Sequence, residues 1–284
     1  MPAFRPQPGD APPAAMTVCN PASTIAVSHT DPGLADKAAA LAGHLGLPIY
    51  EPKELPPALL LTLTPERLEL RQTTKGAEGP LFVDFLGGTI EYRRRHTTSR
   101  KEGIARAAGL KGGASPVVLD LTAGLGRDGF ILAGLGCTVS MVERSPVVAA
   151  LLADGIERAK QEPTLAGIMA RISLIAGDSL EILRTWQGAR PEVICIDPMY
   201  PHRSKSALVK KEMRLIRLLV GDDEDSGGLL RAALGVAIRR VVVKRPRLAP
   251  ALGGPEPNFT TNGKNSRFDV YLVGDRGGTT QTGQ

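Results

Sequence analysis

A chain of 284 residues with 42% hydrophobic content can bury one large core, or a core and a small satellite beside it. Its 35 Lys+Arg against 29 Asp+Glu leave a net charge of +6, a bias toward polyanions that has meaning only where the cations cluster. Cys19, Cys137 and Cys195 are too few and too dispersed for a disulfide framework or a zinc site, no metal is expected, and no apolar stretch is long enough to span a bilayer. With no charged-then-apolar leader either, the expectation is a cytoplasmic protein.

Residues 1–24 are rich in Pro and Ala without periodicity and read as a flexible extension. A short strand follows from Ile25, then, after Asp31-Pro32, a helical pattern through Leu41 and Leu45. Leu59–Leu63 pairs with Leu68–Arg71 across the Thr64-Pro65-Glu66 turn, giving a small N-terminal α+β subdomain over 25–88. Linker helices are expected over 89–114, the first carrying Tyr92 and Arg93–Arg95, the second ending at Gly112-Gly113. From 115 to 275 apolar strands alternate with helical patterns: Val117–Leu121, Thr138–Glu143, Ile172–Ala176, Val193–Ile196, Arg240–Lys244 and Phe268–Val273. That alternation predicts parallel βαβ units in a doubly wound, Rossmann-like α/β sheet, with the last strand added as a hairpin. Residues 276–284 read as a tail.

The first of these strands runs into Asp120-Leu121-Thr122-Ala123-Gly124-Leu125-Gly126. Thr122 stands where a dinucleotide fingerprint G-x-G-x-x-G needs its first glycine, which weakens NAD. An acid before a strand-to-helix turn with two glycines suits a smaller ligand with a zwitterionic amino-acid tail, because Gly124 and Gly126 let the backbone approach closely. The helix beginning near Arg127-Asp128 presents free N–H groups to the same ligand. Glu143, ending the second strand, can accept from ribose hydroxyls, Arg144 can cover the ribose or adenine edge, and Asp178-Ser179 after the third strand can take an adenine amino group. S-adenosylmethionine fits this set best.

The fourth strand ends in Asp197-Pro198-Met199-Tyr200-Pro201-His202. The lone pair of an exocyclic amine is delocalised into its ring, so a methylating site must hold the amine hydrogens while nitrogen pyramidalises. Asp197 and the Pro198 carbonyl offer acceptors, proline presets the backbone, and Tyr200 can stack on an extruded base; an ordinary Asp-Pro turn with Tyr200 as packing is the plainer alternative. His202 reads as a loop residue shaping the site. The helical pattern over Lys205–Arg217 follows directly, and its Lys205, Lys210, Lys211 and Arg214, with Arg94, Arg95, Arg100, Lys244 and Arg245, form a candidate phosphate-binding rim.

At these residues the chain resembles the ribosomal RNA small subunit methyltransferase J family. The carrying segments, in order, are Thr122–Asp128, Glu143-Arg144 with Pro146–Leu152, Asp197–His202, Lys205–Arg214 and Val241–Pro246. The resemblance implies a class I S-adenosylmethionine-dependent fold, N2-methylation of a guanosine in small-subunit (16S) rRNA, and cofactor contacts at Arg127, Asp128, Glu143, Arg144, Asp178, Ser179 and Asp197. His96-Thr97-Thr98-Ser99-Arg100 stands where the family has a glycine-rich segment before an arginine. An amino-methyltransferase for DNA adenine or protein glutamine, and a non-catalytic RNA-binding protein of the same fold, remain alternatives.

Overall fold

The computed structural model describes residues 25–53, 55–74, 79–87, 102–111, 113–198, 215–216, 219, 226–250, 252–263 and 266–274. The extension 1–24, the tail 276–284, and Arg94, Arg95, Arg100, Tyr200, His202, Lys205, Lys210, Lys211 and Arg214 lie outside the described residues.

Two sheets form. In the smaller, β1 (Ile25–His29) pairs in parallel with β2 (Leu59–Leu63), which pairs antiparallel with β3 (Leu68–Gln72); α1 (Ala35–Leu45) makes the crossover that a parallel pair requires. Val27, Leu61 and Leu70 align across the three strands and are fully buried on one face. α2 (Gly103–Ala108) then ends at Gly109, whose φ of 80° closes the last turn, three residues earlier than the expected Gly112-Gly113.

The larger sheet contains β4 (Val117–Asp120), β5 (Thr138–Glu143), β6 (Ile172–Ala176), β7 (Val193–Ile196), β8 (Arg240–Pro246), β9 (Phe259–Asn262) and β10 (Ser266–Leu272). Their order is β6-β5-β4-β7-β8-β10-β9, parallel except for β10, which runs antiparallel to both of its neighbours. α3 (Arg127–Gly134), α4 (Pro146–Lys160), α5 (Ala166–Met169), α6 (Ser179–Arg184) and α7 (Ser226–Val236) lie between successive strands. The sequence pattern misses β9. Its four residues, Phe-Thr-Thr-Asn, are largely exposed and carry no apolar alternation, and pairing with β10 alone makes them a strand.

Both faces of the large sheet are covered, which is why its central strands read as unbroken apolar runs. On one face Leu119, Ile194, Val241 and Val243 meet Leu230 and Ala233 of α7 and Ala237 just after it. On the other, Val118, Val139 and Met141 meet Phe130 of α3 and Leu151 and Leu152 of α4 in a cluster that continues through Val83 and Phe85 to Leu61 and Leu70. Cys137 and Cys195 are buried in this cluster as small hydrophobes. Phe85 stacks on Phe130 at 4.9 Å between centroids, worth roughly 0.5–1.5 kcal/mol beyond its burial. Gly155 permits the docking: a Cβ there would lie 2.5 Å from Val83 Cγ1.

Candidate active site

Strand order reverses between β4 and β7, since the chain leaves β4 toward β5 and β6 and returns on its other side. The crevice above the carboxyl ends of that pair is where an open α/β sheet binds ligands. The loop after β4 and the segment after β7 both open into it.

Asp120 ends β4 almost wholly buried. Its Oδ1 accepts from the Thr122 N–H at 3.2 Å. The Leu121 and Ala123 N–H groups bond the Cys195 and Val142 carbonyls on the flanking strands, so the loop is anchored on both sides before it turns. Gly126 makes the turn at φ 72°, and a Cβ there would meet Leu152 Cδ1 at 2.7 Å. The N-cap of α3 is Gly126, which has no side chain to cap the helix. At Gly124, φ 53°, an added Cβ would meet nothing within 4 Å, which leaves the loop backbone open to a ligand.

Glu143 is buried at the end of β5, where Oε2 accepts from the Gly124 N–H at 2.8 Å and Oε1 from the Ser145 N–H at 2.8 Å. It therefore shapes the glycine loop from the end of the neighbouring strand. Arg127 is half-buried at the start of α3, and Arg144 is exposed beside Glu143. Asp178 caps α6, its Oδ1 accepting from the Leu180 and Glu181 N–H groups at 2.9 and 3.0 Å. The Ser179 hydroxyl donates its proton to the Leu121 carbonyl at 2.5 Å, so toward a ligand its oxygen can act only as an acceptor.

On the β7 side, the Asp197 N–H donates to Thr122 Oγ1 at 2.6 Å, so the residue that displaces the dinucleotide glycine ties the two loops together. Pro198 is buried and Asp197 is exposed. Lys244, from β8, reaches Asp128 Oδ2 at 2.7 Å and Asp197 Oδ2 at 2.8 Å. Asp128 and Asp197 thus share one lysine, whose charge also acts through space on the Asp120 carboxyl. Burial first, then Asp128 and Asp197, push the Asp120 carboxyl up to about 7, against the Thr122 N–H and Lys244. Burial disfavours the Lys244 cation, yet Asp128 and Asp197 outweigh it and hold the ammonium well above the usual lysine range.

Two members of the expected rim belong elsewhere. Arg245 is 1% exposed and pairs with Asp269 of β10 at 3.0 Å, because β8 alternates faces and turns it, with Val243, onto the face that α7 covers. Lys244 serves the carboxylates just described. Sequence reading also passed over Thr122 as a functional residue; its bond spans 75 positions, and only the strand order brings its partner near.

A family model of SAM-dependent methyltransferases matches residues 45–273. Ribosomal RNA small subunit methyltransferase J of Thioalkalivibrio sulfidiphilus is 50% identical over 251 residues, 88% of this chain and 98% of that protein. The chain belongs to this methyltransferase family. The protein of the same name from Pseudomonas aeruginosa strain LESB58 is 48% identical over 250 residues, 88% of this chain and 95% of that protein. A crystal structure of a SAM-dependent methyltransferase from Neisseria gonorrhoeae shares the family's fold, at 36% identity and a TM-score of 0.67 over 88% of this chain and 96% of that one. The cofactor is S-adenosylmethionine, and the residues present fit it: an open glycine backbone, a buried carboxylate at the second strand end, and an acid-rich crevice suited to a ligand that carries an ammonium and a sulfonium.

Proposed function

We propose that this protein transfers the methyl group of S-adenosylmethionine to the exocyclic N2 amine of a guanosine in small-subunit ribosomal RNA, in the cytoplasm. The observation that carries the reading is the junction of the two loops. Asp197 and Pro198 stand at the end of β7, joined through Thr122 to the glycine loop, so an amine held at Asp197 lies beside the cofactor crevice. The relatives' printed name supplies the RNA class.

In this reading Asp120, Gly124, Gly126, Arg127, Asp128, Glu143, Arg144, Asp178, Ser179 and Asp197 would hold the cofactor. When bound, the cofactor supplies an electrophilic methyl carbon on a cationic sulfur. Asp197 and the Pro198 carbonyl accept from the two amine hydrogens, and Tyr200 stacks on the flipped base, since N2 is otherwise engaged in the helix. Holding both hydrogens turns the nitrogen lone pair toward the methyl carbon. Transfer of that methyl would leave its bonding pair with the cofactor's sulfur, and Asp197 would take the proton that the methylated amine releases. The protein's contribution is orientation. Arg94, Arg95, Arg100, Lys205, Lys210, Lys211 and Arg214 are proposed to hold RNA phosphates, and residues 25–88 to form a unit distinct from the 115–275 methyltransferase domain.

Nucleoside mass spectrometry of small-subunit rRNA after reaction tests the substrate. N2-methylguanosine is expected with wild type and is lost in Asp197→Ala at nearly unchanged RNA affinity. Methyl on adenosine, on DNA or on protein would overturn the assignment.

A further inference from the structure

Among the described residues, Asp197 is held from both of the strands that flank β7. Its backbone N–H is fixed by Thr122 after β4. Its carboxylate is fixed by Lys244 on β8, whose ammonium also holds Asp128 at the start of α3. Sheet register produces this contact. β7 and β8 pair through Ile196↔Val243, so the next residue on each strand, Asp197 and Lys244, emerges side by side at the carboxyl end.

We propose that Lys244 is a positioning residue for methyl transfer: it fixes the Asp197 carboxylate for the acceptor amine and ties it to Asp128, locking the acceptor and cofactor halves of the crevice in one geometry. This rests on the reading of Asp197 given above. An RNA-phosphate role fits the contacts poorly, because a phosphate approaching this ammonium meets two carboxylates already 2.7 and 2.8 Å from it. The lysine also offsets charge. Asp120 from β4, Asp128 from α3, and Cys195 beside them on β7 surround Asp197 and Lys244, and removing the cation leaves three acids in mutual repulsion.

The test compares Lys244→Met, similar in length and neutral, with Lys244→Arg, which keeps the charge but presents a planar fork that cannot reproduce both contacts. Single-turnover methyl transfer is measured at saturating cofactor, with whichever acceptor wild type labels among small-subunit RNA, DNA and protein. Alongside it go the salt dependence of RNA affinity and the pH profile. Lys244→Met should transfer methyl about a hundredfold more slowly, the scale of a misplacement near 1 Å, with the salt slope unchanged and the acidic limb of the rate profile moved to higher pH. Lys244→Arg should restore the limb while the rate stays below wild type. A wild-type rate in either variant, or a salt slope reduced by about one with the rate intact, overturns the proposal and returns Lys244 to the phosphate rim. If Lys244→Met fails to fold, the rate of Lys244→Arg decides alone. A wild type that labels DNA or protein instead of RNA refutes the substrate assignment, and the Lys244 comparison is still read on that acceptor.

Discussion

Asp120→Asn should change how stability depends on pH, and the sign follows from the site. Its carboxyl is 5% exposed and moves from 3.8 to about 7 in the folded protein. Between those values the folded state holds a proton that the unfolded chain has released, so stability falls as pH rises through the window. At about 1.4 kcal/mol per pKa unit, the full effect is about 4 kcal/mol, of which about 3 lies between pH 5 and 8. Lys244 is elevated above 10.5 and stays protonated in both states across this range, so it adds no slope there. Asparagine keeps an oxygen for the Thr122 N–H and removes the titration. Urea unfolding followed by circular dichroism at pH 5, 6, 7 and 8 should give a variant that gains on wild type by about 3 kcal/mol across the series. Stability differences that stay constant with pH would refute the burial argument. In wild type alone, cofactor affinity should strengthen as pH rises through 7, since ionised Asp120 favours a cationic ligand.

Glu143→Gln loses one of two charge-assisted bonds to the Gly124 and Ser145 N–H groups and turns an amide against the other, at a cost of about 1.5–3 kcal/mol in cofactor binding. Calorimetric titration with S-adenosylmethionine checks this, and an unchanged affinity removes Glu143 from the cofactor site. Arg245→Met strands part of the Asp269 charge, though Arg267 at 3.0 Å and Thr260 at 3.1 Å still hold it, so unfolding should cost about 3 kcal/mol less. Filter binding should show the same RNA affinity and salt slope as wild type, because a buried guanidinium touches no phosphate.

The apolar runs alone determined most of the large sheet. Val117–Asp120 and Val193–Ile196 are legible because a central strand covered on both faces is continuously apolar, Thr138–Glu143 and the edge strand Ile172–Ala176 because they are short, β-branched-rich runs, and the turns between them carry Gly, Asp and Pro. The glycine loop, Glu143 and Asp197 were legible as well, because strand carboxyl ends are where such sheets place ligands. β9 was not, since only β10 beside it makes Phe259–Asn262 a strand. Neither was the division of labour on β8. Lys244 and Arg245 are adjacent cations in sequence, and one faces two carboxylates in the crevice while the other is buried against Asp269. Successive residues of a strand point to opposite faces, but which face holds the crevice is fixed by the strand order, and the Asp128 that Lys244 meets lies 116 positions away. Contacts of that range come from tertiary pairing, which local pattern cannot encode.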